Sequence, residues 1–232
     1  MKHVLITGGS RGIGAACVEA FAKRGYKVTF TYNKSEDAAV ALAEKTGATP
    51  IFCDLAVVEN IEAAIKEAGE VDILINNAGV SHVGLITDIS EEEYRYLMAV
   101  NTDAPFFVSR GVLPHMIRQQ WGAIVNISSM WGAVGASCEV AYSASKAAVI
   151  GFTKALAKEV GPSGVRVNCI LPGVIATDMN AHLSEEDLKV LADETPLCRI
   201  GRPEEVAEAA VYLAEATFVT GQCLSVDGGF IG

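Results

Sequence analysis

Apolar, β-prone runs alternate with helical patterns along the whole chain, and nothing else in the sequence restricts the fold so strongly. The runs "HVLIT" (3–7), "KVTFTY" (27–32), "PIFC" (50–53), "VDILIN" (71–76), "GAIVNIS" (122–128), "VRVNCIL" (165–171) and "QCLSV" (222–226) read as strands. Several are apolar on both faces, as strands of a parallel sheet must be when helices cover it on each side. Helices are predicted near 12–24, 35–46, 57–68, 90–118, 141–160 and 203–215. A repeated β-then-α order implies right-handed crossovers and an α/β fold, a doubly wound parallel sheet of about seven strands with helices on both faces. Such sheets bind ligands beyond the carboxyl ends of their strands, so the residues that end each strand carry the functional question.

At 232 residues and 50% hydrophobic, the chain can bury one large core, and a single domain over 1–232 is expected. The start, "MKHVLITGG", has too short an apolar run for a signal peptide, and no run approaches a membrane span. Cys17, Cys53, Cys138, Cys169, Cys198 and Cys223 are scattered, with no CxxC pair and no clustered histidines. That usage predicts reduced thiols, a cytoplasmic location and no metal site. The net charge of −10 argues against nucleic acid as a partner. Much of it lies in stretches such as "SEEEY" and "RPEEVAEAA", which read as solvated helix faces. A phosphate-bearing cofactor remains compatible, because a few local donors can hold one against the global field.

The first strand runs into "TGGSRGIG" (7–14) and then a helix. Gly8, Gly12 and Gly14 allow a tight turn and close backbone approach, and the helix N-terminus offers free N–H groups to a pyrophosphate. The pattern is not GxGxxG, since Cys17 stands where its last glycine would be, and a glycine-rich turn without a ligand would look similar. Strand two ends at Tyr32, Asn33 and Lys34, where an NAD-type fold places an acid for the ribose. With Arg11 in the first turn, this fits a 2′-phosphate; a surface lysine is the plainer account. Asp54 could accept from an adenine amine or cap a helix. "NNAG" (76–79) could be an Asn-Gly loop, and "NISSMWG" ends strand five with Ser128 and Ser129. In "AYSASK", Tyr142 and Lys146 are four apart and share a helix face. They are either a surface ammonium beside a half-buried tyrosine or a proton donor whose phenol pKa the ammonium lowers.

In this order, the glycine motif, "NNAG", Asn101 in "AVNTDAPF", Ser129, "YSASK", Pro172 with Gly173, and "TGQCLSVDGG" resemble the short-chain dehydrogenases/reductases over the whole chain. The resemblance implies a Rossmann-type NAD(P)-binding domain with a nicotinamide over the strand ends. Ser129 would donate to the developing alkoxide and Tyr142 would deliver the proton. Lys146 would hold the nicotinamide ribose and favour the phenolate, while Asn101, in a helix interior, would support a water linking Lys146 to solvent. The implied cofactor residues are Gly8, Ser10, Arg11, Gly12, Ile13, Gly14, Asn33, Lys34, Asp54, Leu55, Asn77, Ala78, Gly79, Pro172, Gly173, Ile175 and Thr177, with Tyr142 and Lys146. NADPH is expected over NADH. Phe106, Phe107, Phe152 and Leu156 exceed one core-facing stripe on the helices at 90–118 and 141–160, which in this family implies a homotetramer.

Within the family the chain most resembles bacterial 3-oxoacyl-acyl-carrier-protein reductases, which implies a 3-oxoacyl thioester substrate and a place in fatty-acid biosynthesis. It departs from them in a segment between Asp54 and Asn76 shorter by about one helical turn, and in a trimmed loop at 215–217. Two arginines that would grip an acidic carrier are Gln120 and Ser163 here, although Arg118 and Arg166 lie close by. The stretch "SSMWGAVGASCEVAYSASK" also resembles Gram-positive reductases acting on a ketone carried by a lysine of translation elongation factor P. For that substrate Glu139 and Trp131 would face a cationic tail; a solvated glutamate and a stacked core tryptophan are the alternatives. A non-catalytic nucleotide-binding relative would be expected to lose the tyrosine or the lysine, and both are present. The pocket lining is expected from loops around His82, 131–138 and after Thr177.

Overall fold

The computed structural model describes residues 1–180 and 183–231. In chain order it contains β1 (His3–Ile6), α1 (Gly12–Lys23), β2 (Lys27–Tyr32), α2 (Glu36–Thr46), β3 (Thr49–Phe52), α3 (Val58–Ala68), β4 (Ile73–Asn76), α4 (Glu91–Met98), α5 (Ala104–Arg118), β5 (Gly122–Ile127), α6 (Met130–Val134), α7 (Val140–Val160), β6 (Val165–Pro172), α8 (Glu185–Glu194), α9 (Pro203–Glu215) and β7 (Cys223–Val226). The strands form one seven-stranded sheet in the order β3-β2-β1-β4-β5-β6-β7. Every pairing is parallel. The order reverses between β1 and β4, and the carboxyl ends on either side of that switch form a crevice.

Period-two alternation feeds two cores from the same strands. Val4 and Ile6 of β1, and Ile73 and Ile75 of β4, join Phe21 of α1 and Val206 of α9 on one face. Leu5 and Leu74, the residues between them, join Ile61 of α3, Val108 of α5 and Leu156 of α7 on the other. All residues of β4, β5 and β6 are buried, which is why those runs are apolar throughout. Each such Leu or Ile contributes roughly 1.5–3 kcal/mol by leaving water. At the amino end of the sheet, Lys2 Nζ lies 3.3 Å above the ring of Trp121.

Three elements differ from the sequence expectation. The helix predicted over 90–118 is broken by a five-residue π-helical turn, Ala99–Asp103, between α4 and α5. There Asn101 turns inward to bond backbone groups of the loop after β4, and the widened turn accommodates it. The short helix α6 follows β5 directly, with Ser129 as its N-cap. Helix α8 opens with a capping box between Ser184 and Asp187, and its short apolar face of Leu188, Leu191 and Ala192 is only half-buried, a weaker mark in sequence than a core-facing stripe. Among the described residues, no helix is long and apolar enough to cross a membrane. Nor, among them, could any group of three His, Cys, Asp or Glu side chains hold a metal ion.

Candidate active site

A cleft of about 720 Å³ runs along the carboxyl ends of the strands and is lined by every predicted site residue except Asn101. Its floor is the loop between β1 and α1. Gly8 has φ +63°, a left-handed conformation that favours glycine, and a Cβ on Gly14 would lie 2.1 Å from the Gly8 carbonyl oxygen. The loop is fastened to the segment after β4. Thr7 Oγ1 accepts from the Asn77 and Ala78 amides at 3.0 and 3.1 Å, and Asn77 Nδ2 donates to the carbonyls of Thr7 and Gly8, both at 3.0 Å. No side chain caps α1 and no acid occupies its first turn, so its leading N–H groups face the cleft free of local partners. That donor set fits the pyrophosphate of a dinucleotide.

At the ends of β2 and β3, Asn33 and Lys34 line the cleft as does Arg11, without an acid at Tyr32. The Arg11 guanidinium is paired with Asp178 across the cleft at 3.2 Å, linking the glycine loop to the segment after β6. Asp54 Oδ1 accepts from the Ala56 amide at 3.0 Å, an Asx turn ahead of α3, whose N-cap is Val57. Leu55 lines this wall, while Pro172, Gly173, Ile175 and Thr177 line the cleft at and after the end of β6, on the other side of the switch.

At the other end, three side chains converge. Tyr142 and Lys146 project from successive turns of α7. Ser129, held at the end of β5, accepts from the Trp131 amide at 3.2 Å, and its hydroxyl lies beside the Tyr142 phenol, whose pKa it lowers. The Lys146 ammonium lies 5.7 Å from the centroid of the Tyr142 ring and donates to the Ile127 carbonyl at 3.0 Å. Its complete burial pushes the Lys146 pKa down to about 8. Burial pushes the Tyr142 phenol up to about 12; the neighbouring Ser129 hydroxyl opposes that shift and the Glu139 carboxylate adds to it. The expectation that Lys146 lowers the phenol pKa is therefore corrected for the protein alone. Its ammonium is directed at a main-chain carbonyl rather than at the hydroxyl, and desolvation dominates.

Asn101 is 1% exposed and outside the cleft wall. Its Oδ1 accepts from the Val80 amide at 2.8 Å, while Nδ2 donates to the Val80 carbonyl at 2.8 Å and to Ser145 Oγ at 3.0 Å. The carboxamide thus holds a loop and a helix together, and its Oδ1 lies beside Gly79, as does the Lys146 ammonium. Residue reasoning assigns no role to three contributors, Thr7, Ser128 and Ser145. Ser128 Oγ donates to the Lys146 carbonyl at 2.7 Å, and Ser145 Oγ donates to the Tyr142 carbonyl at 2.7 Å. Their signal was a hydroxyl beside each motif, recognisable only once its main-chain target is known. Trp131 and Glu139 line the cleft, and Trp131 packs edge-to-face on Phe230 with centroids 5.5 Å apart. Ser81 and Val83 line it while His82, between them, does not.

Comparison with known proteins agrees with this geometry. The enoyl-(acyl carrier protein) reductase family model matches residues 8–231. An uncharacterized oxidoreductase of Bacillus subtilis, YmfI, is 40% identical over 99% of this chain and 98% of its own length. The 3-oxoacyl-[acyl-carrier-protein] reductase FabG of Chlamydia muridarum is 41% identical over 98% of this chain and 96% of its own. Among solved structures, a blue fluorescent protein from a metagenomic library, in complex with NADPH, superposes with a TM-score of 0.94 at 34% identity, covering 100% of this chain and 98% of that one. Similarity of this extent, from end to end and on the same fold, makes the chain an oxidoreductase of the short-chain dehydrogenase/reductase family.

Proposed function

We propose that the enzyme reduces the ketone of a 3-oxoacyl thioester with NADPH. The observation that carries this reading is the convergence of the Ser129 hydroxyl, the Tyr142 phenol and the Lys146 ammonium at one end of the cleft. The reduced nicotinamide supplies the hydride. Ser129 donates a hydrogen bond to the carbonyl oxygen as charge develops on it. Tyr142, fully protonated at neutral pH, gives that oxygen its proton. Lys146 binds the nicotinamide ribose, with Asn101, Ser145 and Ser128 holding the frame around it. The glycine loop takes the pyrophosphate, and Arg11 and Lys34 take the 2′-phosphate. On this reading the chain is one NAD(P)-binding domain, working in the cytoplasm as a homotetramer.

FabG of Chlamydia muridarum is named for a carrier-bound 3-oxoacyl substrate, and the chemistry transfers to any such thioester. The carrier itself has weaker support. Arg166, a cation counted near the expected docking face, is 9% exposed and donates to the Leu213 and Ala214 carbonyls at 2.7 and 2.6 Å. Arg118 is open to solvent, with Glu70 at 3.9 Å, and the chain's net charge of −10 repels an acidic partner. A second reading, a ketone carried on a lysine of a translation factor, is favoured by Glu139, whose carboxylate lines the cleft and bears on the Tyr142 phenol. The deciding measurement is kcat/KM on an acetoacetyl thioester, free and carrier-bound, at low and moderate salt, against a ketone bearing an ammonium group. Comparable activity on both thioesters is expected. A large carrier advantage that shrinks with salt would restore the fatty-acid role, and activity confined to the ammonium ketone would establish the second reading.

A further inference from the structure

We propose that Cys169 and Cys223 form a reversible disulfide directly behind the active site. The two residues are register partners on the neighbouring parallel strands β6 and β7. Paired strands run about 4.7–4.9 Å apart, within the roughly 4.4–6.8 Å that a disulfide spans between Cα atoms. Side chains in register leave a sheet on the same face, and here both pack beneath α7. Val149, Cys169 and Leu171 form a small cluster completed by Ile150 and Cys223. Cys223 packs against the cluster that holds Cys169, and each sulfur bears on the other's acidity.

The pair is also chemically asymmetric, as a redox pair requires. Cys223 sits on the edge strand and is half-buried, whereas Cys169 is fully buried. The neighbouring Cys169 thiol, with the Lys154 ammonium, brings the Cys223 thiol down to about 6, while Cys169 is held protonated. Cys17 and Cys53 are pushed the other way by burial, to about 12 and about 11. With hydrogen peroxide as oxidant, the Cys223 thiolate attacks one oxygen, the O–O bond breaks, hydroxide leaves and a sulfenic acid forms. The Cys169 sulfur then attacks the Cys223 sulfur; its proton leaves with the sulfenic hydroxyl as water, and the S–S bond closes. The two sulfurs together lose two electrons and the peroxide gains them.

The consequence lies at Lys146. The Cys169 sulfur is an electrostatic neighbour of the Lys146 ammonium, and its thiol donates to the Ile170 carbonyl at 3.6 Å. Closing the bond draws that sulfur towards β7 and away from both groups. Oxidation therefore slows turnover, and a thiol reductant restores it.

The test uses full-length protein carrying Cys138→Ser and Cys198→Ser, which removes the two remaining thiols outside the core. After a few equivalents of peroxide, intact mass should fall by two hydrogens and peptide mapping should recover Cys169 linked to Cys223. NADPH-dependent turnover should fall several-fold and return with dithiothreitol. Adding Cys223→Ser should abolish both effects, and Cys169→Ala provides the same control if that variant folds poorly. Failure to find the linked peptide overturns the proposal, as does loss of turnover that persists in both controls. A linked enzyme with unchanged turnover overturns the coupling to Lys146. The mass measurement is independent of the substrate, so it stands or falls separately from the reductase reading.

Discussion

Asn101 and Ser145 are joined by a buried hydrogen bond of 3.0 Å that fastens the π-helical turn to α7 one residue before Lys146. The same Ser145 hydroxyl donates to the Tyr142 carbonyl at 2.7 Å, so one oxygen connects three residues around the site. Ser145→Ala leaves the Asn101 amide without one of its acceptors in a dry environment, which costs about 1–3 kcal/mol. The variant should melt earlier and turn over more slowly, with little change in the KM for NADPH. Wild-type melting and turnover together would remove Ser145 from the positioning role.

Tyr142→Phe deletes the proton donor and keeps the ring. NADPH binding should survive while turnover drops by roughly 10²–10⁴, the range typical of acid catalysis. Single-turnover kinetics with any activated ketone will measure it, and near-normal rates would mean that another group supplies the proton.

Lys146 gives the pH dependence a definite sign. Its pKa in the folded protein, about 8, lies below its ordinary 10.5, so between these values the unfolded chain binds more protons. Stability therefore gains from this group as pH rises from about 8 towards 10.5, and the penalty of burying the charge is fully present below about 8. Activity runs the opposite way, since the charged form that grips the ribose disappears above about 8. The kcat/KM for NADPH, which reports groups of the free enzyme, should fall on the alkaline side with an apparent pKa near 8. A profile flat through that region would show that the charge on Lys146 is not needed.

The cofactor preference rests on Arg11 and Lys34. A charge-assisted hydrogen bond to phosphate contributes about 1.5–3 kcal/mol, so Arg11→Ala should weaken NADPH about tenfold or more while leaving NADH nearly unchanged. Asp178 holds Arg11 in an exposed ion pair. Such pairs are worth about 0.2–1 kcal/mol, so Asp178→Asn should tighten NADPH by no more than roughly fivefold. Equal titration curves for NADPH and NADH in the wild type would exclude the phosphate role.

Assembly is tested by the aromatic face shared by α5 and α7. Phe106 is 49% exposed and packs against Phe107 and Phe152 at centroid distances of 5.4 and 5.9 Å. A patch of this kind is expected to be covered by a second copy. Light scattering should report a tetramer at micromolar concentration, and Phe106→Glu should dissociate it; a stable wild-type monomer would end the idea.

The sheet was legible because β4, β5 and β6 are buried on both faces, leaving uninterrupted apolar runs. The cleft residues were legible because each strand's end is marked by a motif. The π-helical turn was not, since one widened turn leaves the apolar pattern of 90–118 continuous. Nor was the fate of Arg166: in sequence it is one more cation, and only the packing of α9 against β6 turns it into a clasp on the carbonyls of Leu213 and Ala214. The phenol pKa of Tyr142 depends on where the Lys146 ammonium is directed, and spacing along a helix does not specify that.

The two tryptophans lie at opposite poles of the sheet: Trp121 beneath Lys2 at its amino end, and Trp131 in the cleft wall against Phe230. Strand β5 separates them by roughly 20 Å at about 3.3 Å per residue. The molecule therefore carries its own optical gauge. With Trp121→Phe, the remaining indole emits from the active site alone, and its quenching reads occupancy of the cleft in real time without a label.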